Sequence, residues 1–174
     1  MKKLTVLLGF ALFLLTNCDN LQNGNQANKQ TPPTNLNEQK TQAVIDQEKI
    51  EKYLEDLFLL DKAQTTSSGI HYLIEVEGNG ISPSEKSNVK IKFQTSLLNG
   101  SIFEDSKDFQ ENGIVSFGIS EQFIKGWKEA LMLLKEGGKG TFIIPSRLAY
   151  GKRSSNKFPA NAVLVYDIEL VEVN

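Results

Sequence analysis

The chain is poor in the residues from which most catalytic and metal centres are built. In 174 residues it has one cysteine, one histidine and one tryptophan. One His and no spare Cys leave no ligand set for a structural or catalytic metal, so no metal and no cofactor are expected. A hydrolase would need a nucleophile elbow, and none is present. No long basic run occurs and the formal net charge is -2, which argues against a nucleic-acid partner, since that would require clustered positive charge. The longest apolar run, Leu4 to Leu15, is shorter than the roughly 20 residues a bilayer-spanning helix needs. What is present, 40% hydrophobic and 23% charged residues, suffices for one ordinary domain with a buried core.

Lys2 and Lys3 followed by the apolar run read as a sorting signal, residues 1–17, and not as part of the folded domain. The run closes at Leu15-Thr16-Asn17-Cys18, which resembles the lipobox of bacterial lipoproteins, although Asn17 stands where Gly, Ala or Ser is usual. That resemblance implies that Cys18 carries lipid and anchors the chain to a membrane of the cell envelope. The outer membrane facing the periplasm is favoured, although Asp19 matches an inner-membrane retention signal of some bacteria. An ordinary secretory signal with an incidental cysteine is the alternative. Residues 18–40, rich in Asn, Gln, Thr and Pro, read as a flexible tether.

Residues 41–62 carry Ile50, Tyr53, Leu54, Leu57 and Phe58 at helical spacing, an amphipathic helix whose apolar face packs on the following domain or forms a dimer contact. A monomer is the expectation. From Gly69 the period changes to two. Ile70, Tyr72, Ile74 and Val76 mark one strand, with His71 opposite them on the surface. Val89 to Leu97 mark another, closing at Asn99-Gly100. Glu104 and Asp105 fall in a polar turn region. Ile114 to Phe117 is a third strand, Lys125 to Leu134 is a helix stopped by Gly137 and Gly138, and Lys139 to Ile144 and Ala162 to Val173 complete the strands. Residues 69–174 thus read as an α+β domain, an antiparallel sheet with one short helix on a face.

The residues at the junctions of these elements carry a resemblance. Phe123-Ile124-Lys125-Gly126-Trp127, then Ile144-Pro145-Ser146-Arg147-Leu148-Ala149-Tyr150-Gly151, resemble two motifs of the FKBP-type peptidyl-prolyl cis/trans isomerases. Upstream, Leu97 to Ser106 is similar to that family's Leu-x-(Asp/Asn)-Gly-x-x-Phe-Asp-Ser-Ser, and downstream Phe158 to Leu170 is similar to its C-terminal block. The layout also resembles envelope FKBP lipoproteins, including those associated with gliding motility. The resemblance implies an FKBP-like antiparallel half-barrel wrapped around one short helix, acting on proline-containing polypeptide clients.

The same resemblance implies a pocket with Trp127 as its floor and Phe103, Phe123, Ile124, Tyr150, Phe158 and Tyr166 as walls, with Phe93 and Val115 at its edge. The Ile124 amide and the Tyr150 hydroxyl are the implied donors to substrate carbonyls. Glu104 stands where the family usually has Asp, and either Glu104 or Asp105 faces the polar rim. From spacing alone Trp127 and Tyr166 read equally as core, and the carboxylates as turn residues. The competing class is a non-catalytic FKBP-fold chaperone or assembly module.

Overall fold

A computed structural model describes residues 40–122 and 124–174; the expected signal, the tether with Cys18 and the side chain of Phe123 lie outside the described residues. Helix α1 (Gln42–Asp56) opens on Thr41, whose backbone is extended and whose side-chain oxygen accepts the Val44 N–H at 3.4 Å, the arrangement Thr favours at an N-cap. Strands β1 (Gln64–Thr65), β2 (His71–Val76), β3 (Asn88–Leu97), β4 (Ile102–Asp105) and β5 (Val115–Gly118) follow. Helix α2 (Lys125–Met132) and strands β6 (Lys139–Ile144) and β7 (Leu164–Val173) complete the described chain.

All seven strands join one antiparallel sheet in the order β1-β2-β6-β7-β3-β4, with β5 also pairing β3. β4 and β5 share one edge of β3, β5 along Asn88 to Ile91 and β4 along Gln94 to Ser96. Between them the Ser106 hydroxyl accepts the Phe93 N–H at 3.1 Å, so the gap leaves no unpaired donor. Alternation directs Val89, Ile91, Phe93 and Thr95 of β3 and Leu164, Tyr166, Ile168 and Leu170 of β7 to the inner face, where they are buried. Ala130, Leu131 and Leu134, from α2 and the residues after it, close this core.

The apolar face of α1 packs on the same unit. Ile50 and Leu54 are fully buried against Ile143, Val163 and Val165, each stabilising by about 1.5–3 kcal/mol relative to exposure. This layer corrects the expectation for His71: it is 4% exposed, and its Nε2 lies 3.4 Å from the side-chain nitrogen of Gln47 in α1. Burial holds its imidazole below the usual range. The helix also ends earlier than its apolar spacing predicts. Leu57 is the C-cap, and Phe58 turns left-handed at φ 58° and is 89% exposed.

Two other expectations are corrected. Residues 102–105 form β4, pairing with β3 across the Asn99-Gly100 turn, so Glu104 and Asp105 lie on a strand. Gly137 and Gly138 lie beyond the end of α2. With Gly137 at φ 80°, the Gly138 N–H reaches the Lys135 carbonyl at 2.8 Å, a turn that starts β6.

Candidate functional site

Helix α2 owes its seat to Gly126. A Cβ at this position would overlap the Ile144 Cγ2 atom and crowd Leu148, so glycine lets the first turn rest directly on the end of β6. The next residue, Trp127, is thereby set against the inner face of the sheet. Its ring centroid lies 5.2 Å from Phe93 in an edge-to-face contact, 5.1 Å from Phe117, and 5.6 Å from the nearly parallel ring of Tyr166. Trp127 is half-buried and borders an open basin of about 330 Å³. Phe93, Phe109, Val115, Phe117, Glu104, Gln110 and Ser116 are its other lining residues. The indole Nε1 is buried and has no hydrogen-bond partner among the described residues.

A second aromatic group comes from the turn after β6 and the loop before β7. Tyr150 and Phe158 stack at 4.1 Å with an 8° interplanar angle, and Phe103 of β4 lies 5.6 Å from Phe158. All three are partly buried and, like Trp127, pack against the same buried core. The Arg153 guanidinium lies 5.7 Å from the Tyr150 ring centroid. Burial raises the Tyr150 phenol above its ordinary range, and the nearby Glu104 charge adds to this, so at neutral pH the hydroxyl is a donor. Tyr166 is 1% exposed beneath Trp127, and burial raises its phenol further; it supports the indole from behind.

Strand register separates the two carboxylates. Thr95 pairs with both Glu104 and Tyr166, whereas Gln94 pairs with Asp105 and Asp167. Directly opposed residues share a sheet face. Glu104 therefore looks toward the basin, and Asp105 toward the outer face, where it accepts the Lys107 N–H at 2.9 Å and the Gln94 side-chain amide at 3.0 Å. Those bonds lower the Asp105 pKa, while burial raises that of Glu104, opposed by Lys157 and assisted by Asp108. Ile124 is the N-cap of α2. Its carbonyl accepts from Trp127 and Lys128, and its N–H makes no hydrogen bond among the described residues.

The structure thus brings together Phe93, Phe103, Glu104, Val115, Trp127, Tyr150, Phe158 and Tyr166 around one cluster, and leaves Asp105 outside it. Phe123 lies outside the described residues. Sequence reasoning missed Phe109 and Phe117. The alternation of Val115 and Phe117 about Ser116 was a signal for Phe117; for Phe109 the only cue is a large apolar side chain in a polar loop.

The model of the family of FKBP-type peptidyl-prolyl cis-trans isomerases matches residues 80–171, more than half of the chain. The chain belongs to that family. Among its curated relatives, a probable FKBP-type peptidyl-prolyl cis-trans isomerase FkpA of Neisseria meningitidis serogroup B is 39% identical over 135 residues, covering 77% of this chain and 48% of that protein. FkpA of Aeromonas hydrophila is 37% identical over 131 residues, 75% of this chain and 48% of the relative. The chain therefore spans about half the length of the curated relatives it matches. The crystal structure of FkpA from Escherichia coli superposes with a TM-score of 0.65 at 32% identity, covering 76% of this chain and 61% of that one. That of AtFKBP13 gives 0.58 at 27%, covering 64% and 98%. Within this FKBP domain, the motif blocks at 97–106, 124–127, 144–151 and 158–170 converge on the aromatic cluster from four separate elements.

Proposed function

We propose that the chain accelerates cis/trans rotation about X-Pro bonds in polypeptide clients. The observation that carries this reading is the half-buried Trp127 ring bordering an open basin with Phe93, Phe109 and Phe117 among its lining. Rotation breaks amide resonance, at a barrier of about 18–20 kcal/mol, and leaves the X-Pro amide less polar than the planar ground state. An apolar surface therefore favours the twisted form over the hydrated one, with no proton moved. The prolyl ring lies on Trp127. The Ile124 N–H and the Tyr150 hydroxyl hold the flanking carbonyls, so that only the prolyl bond rotates. Glu104 sets the polarity of the rim.

The family identity and the FkpA-type relatives support the same reading. The residue pattern before Cys18 supports attachment to an envelope membrane through lipid on that thiol, with the outer membrane favoured. The clients are then proline-containing envelope proteins, and the chain acts as a monomer.

The test is the isomerisation rate of a short X-Pro peptide with the full chain. Catalysis above the solvent rate is expected, falling about tenfold for Trp127→Leu and about fivefold for Tyr150→Phe, the effect of one lost hydrogen bond. A rate equal to that of solvent contradicts the reading. Cys18→Ser is expected to move the protein into soluble fractions; retention in membranes contradicts the anchor.

A further inference from the structure

The carboxylate of Asp46 is fully buried, in a helix that lies outside the span matched by the family. Asp46 occupies the buried stripe of α1 one turn before Ile50 and two before Leu54, a position where an apolar side chain would serve docking alone. One carboxylate oxygen accepts both the Ser146 N–H at 2.9 Å and the Ser146 hydroxyl at 2.6 Å; the other accepts the Gln42 side-chain amide at 2.7 Å. No cation among the described residues pairs with it. Burying a carboxylate without a counter-ion is unfavourable unless hydrogen bonds offset the lost hydration. Packing of α1 does not explain such a group; its grip on Ser146 does.

Ser146 opens the single turn Ser146–Leu148 that leads from β6 to Tyr150. Its carbonyl accepts the Ala149 N–H at 3.0 Å and the Gly151 N–H at 2.8 Å, the two amides that bracket Tyr150. Asp46 therefore fixes the residue whose own carbonyl fixes the backbone on both sides of the stacked Tyr150–Phe158 pair. We infer that Asp46 is a positioning residue, through which α1 holds the Tyr150 turn in the geometry that meets the peptide. The inference rests on the proposed isomerase reading for its effect on rate, but its structural half stands apart from catalysis.

The experiment combines amide hydrogen exchange with isomerase kinetics on the full chain, for Asp46→Ala, Asp46→Asn and Ser146→Ala, with Ile50→Val as a control that weakens the docking of α1 without touching Ser146. In Asp46→Ala, exchange at Ala149 and Gly151 is expected to rise about tenfold beyond any rise at Ile168 in β7, and kcat/KM to fall by about threefold to fivefold, no more than Tyr150→Phe itself costs. Asp46→Asn keeps an acceptor oxygen and recovers most of both. In a Tyr150→Phe background, Asp46→Ala lowers kcat/KM no further, and Ile50→Val leaves kcat/KM unchanged. Should Asp46→Ala not fold, Asp46→Asn and Ser146→Ala are expected to show the same pattern at smaller size. The proposal is overturned if Ala149 and Gly151 exchange only in step with Ile168, or if the loss in rate is the same with and without the Tyr150 hydroxyl. A wild-type chain without isomerase activity defeats the functional reading, while the exchange ratio still decides the positioning role.

Discussion

At the scale of the residue, Glu104 shows how the site meets water. Burial raises its pKa, so the folded state holds the proton to a higher pH than the unfolded chain does. Stability from this group is therefore fully present below the unfolded carboxylate range and is lost as pH rises through the folded value. Glu104→Gln removes the charge, and is expected to raise the thermal midpoint at pH 7, with the gain vanishing toward pH 3; calorimetry at the two pH values measures it. Which carboxylate faces the basin was not legible in the sequence, because neighbouring strand residues differ only by register, and the region read as a turn. Trp127, Tyr150 and Phe158 were legible, since each stands in a motif block whose spacing resembles the family's. His71 was not. Its strand alternates as though one face met solvent, whereas in the fold it is buried with Gln47 of α1 against its ring.

At the scale of the element, the ends of both helices carry strain and contact that the apolar periodicity does not encode. Phe58 takes the left-handed position after α1, with its N–H on the Glu55 carbonyl at 2.9 Å and the Leu59 N–H on the Leu54 carbonyl at 2.8 Å. This is the Schellman arrangement, in which glycine is preferred and an L side chain costs about 1 kcal/mol. Phe58 makes little contact to offset that. Phe58→Gly is expected to stabilise by up to about 1 kcal/mol in urea unfolding, without changing the isomerisation rate. Gly126 is the opposite case, because a methyl there meets Ile144 and Leu148. Gly126→Ala is expected to destabilise by about 1–3 kcal/mol and to lower kcat/KM by displacing the adjacent Trp127; the same unfolding and rate assays read both effects. The strands were legible where one face is polar, as in β3. β4 was missed because four residues beginning beside a turn carry too little period to register.

At the scale of the whole molecule, the described chain is three layers: α2 and the aromatic basin inside, the sheet, and α1 outside. The outer face shows where α1 ends. It is apolar at Ile143, Val163 and Val165, beneath the helix, and elsewhere carries the ion pairs Lys90–Glu172, Lys92–Glu169 and Lys139–Glu75. These exposed pairs add little stability but keep that surface wet. The unbroken run Val163-Leu164-Val165 was the sequence's sign that both faces are covered there, while the partner of α1 stayed open because spacing defines a stripe and not what it meets.

The central claim, that the Trp127 surface receives the prolyl ring, has a direct probe, because Trp127 is the chain's one tryptophan. Its fluorescence is to be followed while a short X-Pro peptide, and the same peptide with alanine in place of proline, are titrated into the full chain. A saturable change with the prolyl peptide, absent or much weaker with the alanyl one, is the predicted result. Equal responses to both peptides, or none to either at concentrations that saturate isomerisation, would contradict the account.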